Sequence, residues 1–448
     1  MPKKESVLFV CSNCGATSSS WSGRCFTCGE WNTLVAESPN PTGIRRTGRT
    51  IDAETLSQDL LKAEARLVSG IGELDSVLGG GIVPGSVILL AGQPGIGKST
   101  LLLQLANSLS AKTSVLYVSG EESIRQISLR ASRLGVSSKK LKLATSNSTD
   151  DIVSTIDQEK FGLVVIDSIQ SMACNDISSP AGSVSQITNS TQLLSTAAKA
   201  KNINTALVIV GHVTKEGTIA GPKMLEHLVD VVLQLEGDRY GGFKILRASK
   251  NRYGSTNEAG ILEMVDNGFR AVDNPSKALL AERQISDGSI VLATIEGSRP
   301  LLVEVQALVN RTSYGYPKRT ASGIDLNRLN LLVAMLERRT KLKLFDQDIY
   351  VNIVGGIKVN EPAADLAVCM AVASAAKGMK LSSDSVVFGE VGLSGEIRRV
   401  PFIDKRIAEA KKLGFSSAIG PSITGKQSIK YHGVSSIRAA LNTFLGKE

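Results

Sequence analysis

The chain has 448 residues, 42% hydrophobic and 21% charged, with a net charge of +9 and no apolar run of about 18 residues. That excludes a membrane span and a disordered or fibrous chain, leaves room for about two or three cores, and permits a polyanionic partner without requiring one. The four apolar residues Val7–Val10 behind Met-Pro-Lys-Lys-Glu are too few for a secretory leader, so the expected location is the cytoplasm.

Residues 1–36 hold four of the six cysteines, as Cys11-x-x-Cys14 and Cys25-x-x-Cys28 with ten residues between the pairs. Each C-x-x-C turn presents two thiolates to one metal, and two such turns complete a tetrahedral zinc site. Four cysteines leave no open ligand position, so the expected zinc is structural and drives the folding of a segment with little core of its own. A redox role is the competing chemistry for a single C-x-x-C, and the doubling argues against it. Gly15 and Gly29 stand where tight turns close; Trp21 and Trp31 are expected to cover the site, with base stacking as the other reading. Cys174 and Cys369 are isolated and read as ordinary thiols. Residues 37–65, rich in Pro, Gly and Arg toward their start, read as a linker.

Over residues 66–273 strand and helix signals alternate. The apolar runs Val87–Ala91, Val115–Ser119, Leu163–Asp167 and Ala206–Gly211 predict strands separated by helices, with Val229–Leu235 and Phe243–Ala248 as later strands. This pattern predicts an α/β domain whose mostly parallel sheet is covered on both faces and binds ligand beyond the carboxyl ends of its strands. Composition changes again near Asn274, and residues 274–448 are expected to form a further domain. There, Ser289–Glu296 and Leu301–Val309 predict a hairpin across Gly297–Pro300. Asp325 is the expected N-cap of a helix reaching Thr340, with Leu326, Leu329, Val333 and Leu336 on one face.

The chemistry gathers at the strand ends. Gly92, Gln93, Pro94, Gly95, Ile96, Gly97, Lys98, Ser99 and Thr100 have the spacing G-x-x-x-x-G-K-[ST] between an expected strand and an expected helix. Glycines let backbone N–H groups close around phosphates, and the helix N-terminus favours the anion. Lys98 is therefore expected to reach the β- and γ-phosphates of a nucleoside triphosphate, and Ser99 to ligate magnesium. Leu163–Asp167 is an apolar strand ending in a carboxylate, so Asp167 is expected to hold the same magnesium. Glu121 and Glu122 follow the strand 115–119, where a carboxylate can orient the attacking water; acidic residues at a solvated helix start are the other reading. His212 ends the strand 206–211, where it can contact the γ-phosphate or be merely structural. Lys250 and Arg252, in Lys-Asn-Arg-Tyr-Gly, are expected to line a nucleic-acid surface or to reach a neighbouring subunit's nucleotide.

Together these motifs resemble the bacterial RadA (Sms) family of DNA-repair proteins over essentially the full length. The resemblance rests on the cysteine–tryptophan pattern at 11–31, Gly-Gly-Gly-Ile-Val-Pro-Gly-Ser at 79–86, Tyr-Val-Ser-Gly-Glu-Glu-Ser at 117–123, Asp-Ser-Ile-Gln at 167–170, and Lys-Asn-Arg-Tyr-Gly at 250–254, where the family has Phe for Tyr253. It implies a RecA-like P-loop ATPase core that assembles as a hexameric ring and uses ATP, Mg²⁺ and Zn²⁺. In that setting Glu121 is the water-activating glutamate, His212 the γ-phosphate sensor, and Lys250 and Arg252 act in trans on ATP or on DNA. Loops 170–186 and 213–224 would be mobile and face a central channel, with Lys215 and Lys223 along a phosphate track. The C-terminal part resembles the Lon protease domain, an α+β fold whose serine–lysine dyad would fall at Ala363 and at Asp404 or Lys405. Alanine is no nucleophile, so a collar with a basic surface, drawn from Arg311, Lys318, Arg319 and Arg328, is expected instead of a peptidase. The implied function is a DNA-dependent ATPase of recombinational repair. It would translocate on single-stranded DNA, act on branched DNA and promote branch migration with RecA. A Lon-like ATP-dependent protease and a KaiC-like signalling ATPase are the alternatives.

Overall fold

A computed structural model of the protein describes residues 8–37, 65–200, 204–212, 224–237, 243–272, 274–313 and 315–445. The described residues fall into two compact units, one within residues 1–63 and one within 64–448. In the first, β1 (Leu8–Cys11) pairs antiparallel with both β2 (Thr17–Ser18) and β3 (Leu34–Glu37). Among the described residues of this unit the core consists of Cys11, Cys25 and Leu34, with Phe9, Ala16 and Cys28 packed beside them.

The second unit opens with α1 (Gly72–Leu78), β4 (Val87–Gly92), α2 (Lys98–Ser110), β5 (Val115–Ser119), α3 (Ile124–Arg133), β6 (Leu141–Thr145), α4 (Thr149–Gln158) and β7 (Leu163–Asp167). It continues through α5 (Val184–Ala198), β8 (Ala206–His212), α6 (Met224–Leu228), β9 (Val231–Glu236), β10 (Phe243–Asn251), β11 (Ala259–Val265) and β12 (Gly268–Ala271). The nine strands lie in the order β12-β11-β10-β9-β4-β8-β7-β5-β6, parallel from β9 to β6 and antiparallel from β9 to β12. Alternation along each strand sends side chains to two faces. Ile88 and Leu90 join one core with Leu74 of α1, Leu101 and Leu105 of α2 and Ile127 of α3. Val87, Leu89 and Ala91 join the other with Ile152 of α4, Leu194 of α5 and Leu225 of α6. Both faces are covered, as the continuous apolar runs require.

Strand β9 starts at Val231, later than the sequence pattern suggests, because Asp230 turns in to bond the backbone of β4. Its carboxylate accepts from the Val87 N–H at 3.0 Å, and its own N–H donates to the Val87 carbonyl at 2.8 Å.

The remaining elements are α7 (Pro275–Leu280), β13 (Ser289–Glu296), β14 (Arg299–Arg311), β15 (Arg319–Ser322), α8 (Leu326–Thr340), β16 (Gln347–Ile353) and α9 (Asp365–Lys377). After them come β17 (Ser385–Val387), β18 (Glu390–Val391), β19 (Ile397–Arg398), α10 (Ile403–Lys412), β20 (Ser417–Pro421), β21 (Lys430–Val434) and α11 (Ile437–Phe444). Seven strands form a second sheet, β15-β16-β14-β13-β17-β20-β21, with β18 and β19 as a separate ribbon. Helix α9 is buried along Asp365–Ser374 and centres this core. The hairpin is tighter than expected: Glu296 pairs with Arg299, so Pro300 lies inside β14 and only Gly297 and Ser298 turn. Asp325 caps α8 by accepting from the Arg328 N–H at 2.8 Å. Leu329, Val333 and Leu336 are buried as expected; Leu326, in the first turn, is exposed, and Leu332 and Met335 complete the buried face. Among the described residues no helix is long and apolar enough to cross a membrane.

Candidate nucleotide site and cysteine cluster

The loop between β4 and α2 brings Gly92–Gly97 to the N-terminus of a 13-residue helix. Gly97 is the N-cap, with φ 110°, no side-chain cap, and no acidic residue in the first turn. A Cβ there would stand 2.5 Å from Met264 Cε and 2.7 Å from Phe269 Cζ, so only glycine fits. An uncapped, acid-free helix start inside a glycine loop suits the anionic phosphates of ATP. Lys98 is only 4% exposed, and its Nζ donates to the Gly92 carbonyl at 2.8 Å and the Gln93 carbonyl at 3.0 Å. Burial lowers its ammonium below the ordinary value while the charges of Asp167 and Glu121 pull it back up. Ser99 and Thr100 are half-buried in the first turn behind it.

Strands β5 and β7 run in parallel register, with Ser119 opposite Asp167. The Tyr117 hydroxyl donates to Asp167 Oδ2 at 2.6 Å, and the Ser168 hydroxyl donates to Glu121 Oε1 at 2.6 Å. Ser119 Oγ accepts from the backbone N–H groups of Glu121 and Glu122 at 3.3 and 3.0 Å. These bonds separate the two glutamates: Glu122 is ion-paired with Arg130 of α3, while Glu121 is tied to the residue beside Asp167. Both precede Ser123, whose capping box with Gln126 starts α3, so neither belongs to the helix itself. Sequence reasoning missed Tyr117 and Ser168. The available signal was a tyrosine inside a fully buried apolar strand, where its hydroxyl needs a partner.

His212 ends β8 in register with Gly92, but its side chain lies outside the described residues, as do Lys215 and Lys223. Lys250 has a partner the sequence reading did not include. Its Nζ donates to the carbonyls of Glu226 at 2.6 Å and Val229 at 2.8 Å, closing the C-terminal end of α6. Arg252 stays exposed, with Nη1 3.4 Å from Asp230 Oδ1. The loop over 170–186 is tied down rather than loose along 174–179. The buried Gln186 amide accepts from the Cys174 N–H at 2.8 Å and donates to the Ile177 and Ser179 carbonyls at 2.9 Å each.

In the small unit both knuckles repeat one backbone pattern. The Gly15 N–H donates to the Cys11 carbonyl, and the Gly29 N–H to the Cys25 carbonyl, each at 2.9 Å, with both glycines at positive φ. The four sulfurs lie within 4.8 Å of one another, and the Cys11–Cys28 and Cys14–Cys25 separations are both 3.7 Å. A zinc ion with bonds of about 2.3 Å needs tetrahedral edges of about 3.8 Å, so the donor set fits. The Thr33 hydroxyl first, then backbone N–H groups, hold the Cys11 thiol down to about 6. For Cys14 the Ala16 N–H favours the thiolate, but burial and the facing sulfurs prevail and push it up to about 12. Zinc binding resolves that conflict by taking all four as thiolates. The tryptophans do not cover the site: Trp21 and Trp31 are 59% and 67% exposed, and Leu34, Phe9, Ala16 and Thr33 surround the sulfurs instead. Arg24 holds the Trp31 ring outward, its guanidinium 5.8 Å from the ring centre. Cys28→Ser should lower bound zinc from about one ion per chain to near none, since a hydroxyl is a poor zinc ligand. Metal analysis of the purified protein checks this, and undiminished zinc would contradict a four-sulfur site.

At the region that resembles a protease, Ala363 is buried and its carbonyl accepts from the Gly389 N–H at 2.8 Å. Lys405 Nζ donates to the Ser298 carbonyl at 3.1 Å, and the next residue of α10, Arg406, turns inward, 0% exposed and paired with Glu361. Of the expected basic surface, Arg311 is 84% exposed in its side chain, whereas Arg328 is ion-paired with the buried Asp365 and serves the core.

A family model described as an AAA domain matches residues 54–218; a rubredoxin metal binding domain matches 9–36, and subunit ChlI of Mg-chelatase matches 331–423. The chain is 46% identical to the DNA repair protein RadA of Bacillus subtilis, covering 99% of each chain. It is 49% identical to the RadA of Listeria monocytogenes over 93% of this chain and 92% of that one, and 47% identical to the RadA of Haemophilus influenzae over 94% and 93%. The core is a RecA-like P-loop ATPase using ATP and Mg²⁺, preceded by a four-cysteine zinc module and followed by a Lon-protease-like α+β region. With matches of this identity and coverage, the chain belongs to the family of DNA repair protein RadA.

Proposed function

We propose that this ATP hydrolase is a DNA-dependent motor of recombinational repair, translocating on single-stranded DNA and extending branch migration of recombination intermediates with RecA. The observation that carries the reading is the pairing of two acidic strand ends beside a phosphate loop: Glu121 after β5 and Asp167 at the end of β7, joined through Ser168. Ser99 and Asp167 would hold Mg²⁺, which neutralises charge on the β- and γ-phosphates when bound. Glu121 orients the attacking water, Lys98 stabilises the charge that develops on the γ-phosphate, and His212 senses that phosphate at the end of β8.

A hexameric ring in the cytoplasm is the proposed assembly, with the nucleotide site completed by a neighbour. Arg252, whose guanidinium is exposed, suits a reach in trans to that neighbour's ATP or to DNA. Lys250, bonded to the end of α6, acts by holding that end of the helix in place. An ATP-dependent protease is the weaker reading because Ala363 supplies no nucleophile.

The test is extension of a three-strand joint formed by RecA on labelled DNA. With ATP the wild-type chain should lengthen the heteroduplex and the Lys98→Ala chain should not. Equal extension by both, or cleavage of casein by the wild type, would overturn the reading.

A further inference from the structure

Glu121 and Asp167 are each held by a hydroxyl, Asp167 by one from β5 and Glu121 by one from the residue just after β7. Tyr117 is 0% exposed, two residues before the end of β5, on the same strand face as Ser119, which lies opposite Asp167. Its phenol O–H donates to Asp167 Oδ2 at 2.6 Å from within the sheet, so the carboxylate is held by a buried donor. Ser168 is 1% exposed; its hydroxyl donates to Glu121, and its carbonyl accepts from the Ser171 hydroxyl at 2.7 Å. The two carboxylates that chemistry would use are thus oriented from below by two buried donors.

We propose that Tyr117 and Ser168 are positioning residues of the ATPase, Tyr117 acting through the metal-holding Asp167 and Ser168 through the water-orienting Glu121. The proposal rests on the reading of those two carboxylates given above. With Oδ2 held by the phenol, the carboxylate of Asp167 is fixed in orientation and Oδ1 is the oxygen that would be left for Mg²⁺. The Ser168 hydroxyl bonds Glu121 and fixes which way that carboxylate faces. The two hydroxyls therefore control different kinetic quantities.

The experiment is ATP turnover by the full chain across a range of Mg²⁺ concentrations, for Tyr117→Phe and Ser168→Ala, with Asp167→Asn and Glu121→Gln as references. Tyr117→Phe removes one oxygen and should raise the Mg²⁺ concentration at half-maximal turnover about fivefold, the scale of one lost hydrogen bond, with excess Mg²⁺ recovering most of the rate. Ser168→Ala should lower kcat about tenfold without moving the Mg²⁺ midpoint. A purely structural role would lower the melting temperature and leave both kinetic quantities where they were, and that outcome overturns the proposal. An unchanged Mg²⁺ midpoint in Tyr117→Phe, or an unchanged kcat in Ser168→Ala, overturns the corresponding half. If Asp167→Asn and Glu121→Gln abolish turnover while the hydroxyl variants behave as wild type, only the positioning roles fail. If those two references retain turnover, the reading of the carboxylates fails first.

Discussion

Lys98→Ala is expected to lose ATP turnover by at least about a hundredfold, the usual cost of deleting a charged donor aimed at developing phosphate charge. The magnitude follows from where the amine sits. It is 4% exposed at the start of α2, so its charge acts through little water, and the charges of Asp167 and Glu121 oppose the lowering that burial imposes. Alanine is a good helix residue, and α2 keeps Leu101, Leu102 and Leu105 in the core, so the domain should stay folded. Steady-state turnover beside a circular-dichroism melt checks both halves. Normal turnover in a folded variant would mean that the active phosphate site lies elsewhere.

Glu361→Ala should be among the most destabilising single changes in the C-terminal region, by about 3–5 kcal/mol, because it strands a buried cation. Arg406 is 0% exposed; its Nη1 donates to Glu361 Oε1 at 2.8 Å and to the Ala293 carbonyl at 2.6 Å, and its Nη2 to Glu361 Oε2 at 2.6 Å. Glu361 also accepts from the Ile295 N–H at 2.8 Å, so one carboxylate ties β13, the turn before α9, and α10 together. The double change Glu361→Leu with Arg406→Met should recover much of the loss, since it removes both charges. Urea unfolding monitored on the first transition measures this. A Glu361→Ala chain as stable as wild type would show that the guanidinium finds water or another partner.

Much of the nucleotide site is legible in the sequence because its signals are local. A strand, a glycine loop and a helix start are read from contiguous residues, and so are the two cysteine turns. What escapes is decided by residues distant in the chain. Tyr117 meets Asp167 fifty residues on, Lys250 reaches carbonyls twenty-four and twenty-one residues back, and Gln186 pins a loop expected to move. Charge alone does not say whether Arg328 faces solvent or pairs with a buried Asp365. The tryptophans mislead for a related reason. Four sulfurs and Leu34 already enclose so small a site, leaving the indoles no interior to enter.

The most direct test of the DNA-dependent ATPase is hydrolysis of Mg²⁺-ATP by the wild-type chain titrated with single-stranded DNA, alongside Glu121→Gln. The account predicts turnover that rises to a plateau with DNA in the wild type and stays near background in Glu121→Gln. Turnover indifferent to DNA, or retained in Glu121→Gln, would contradict it.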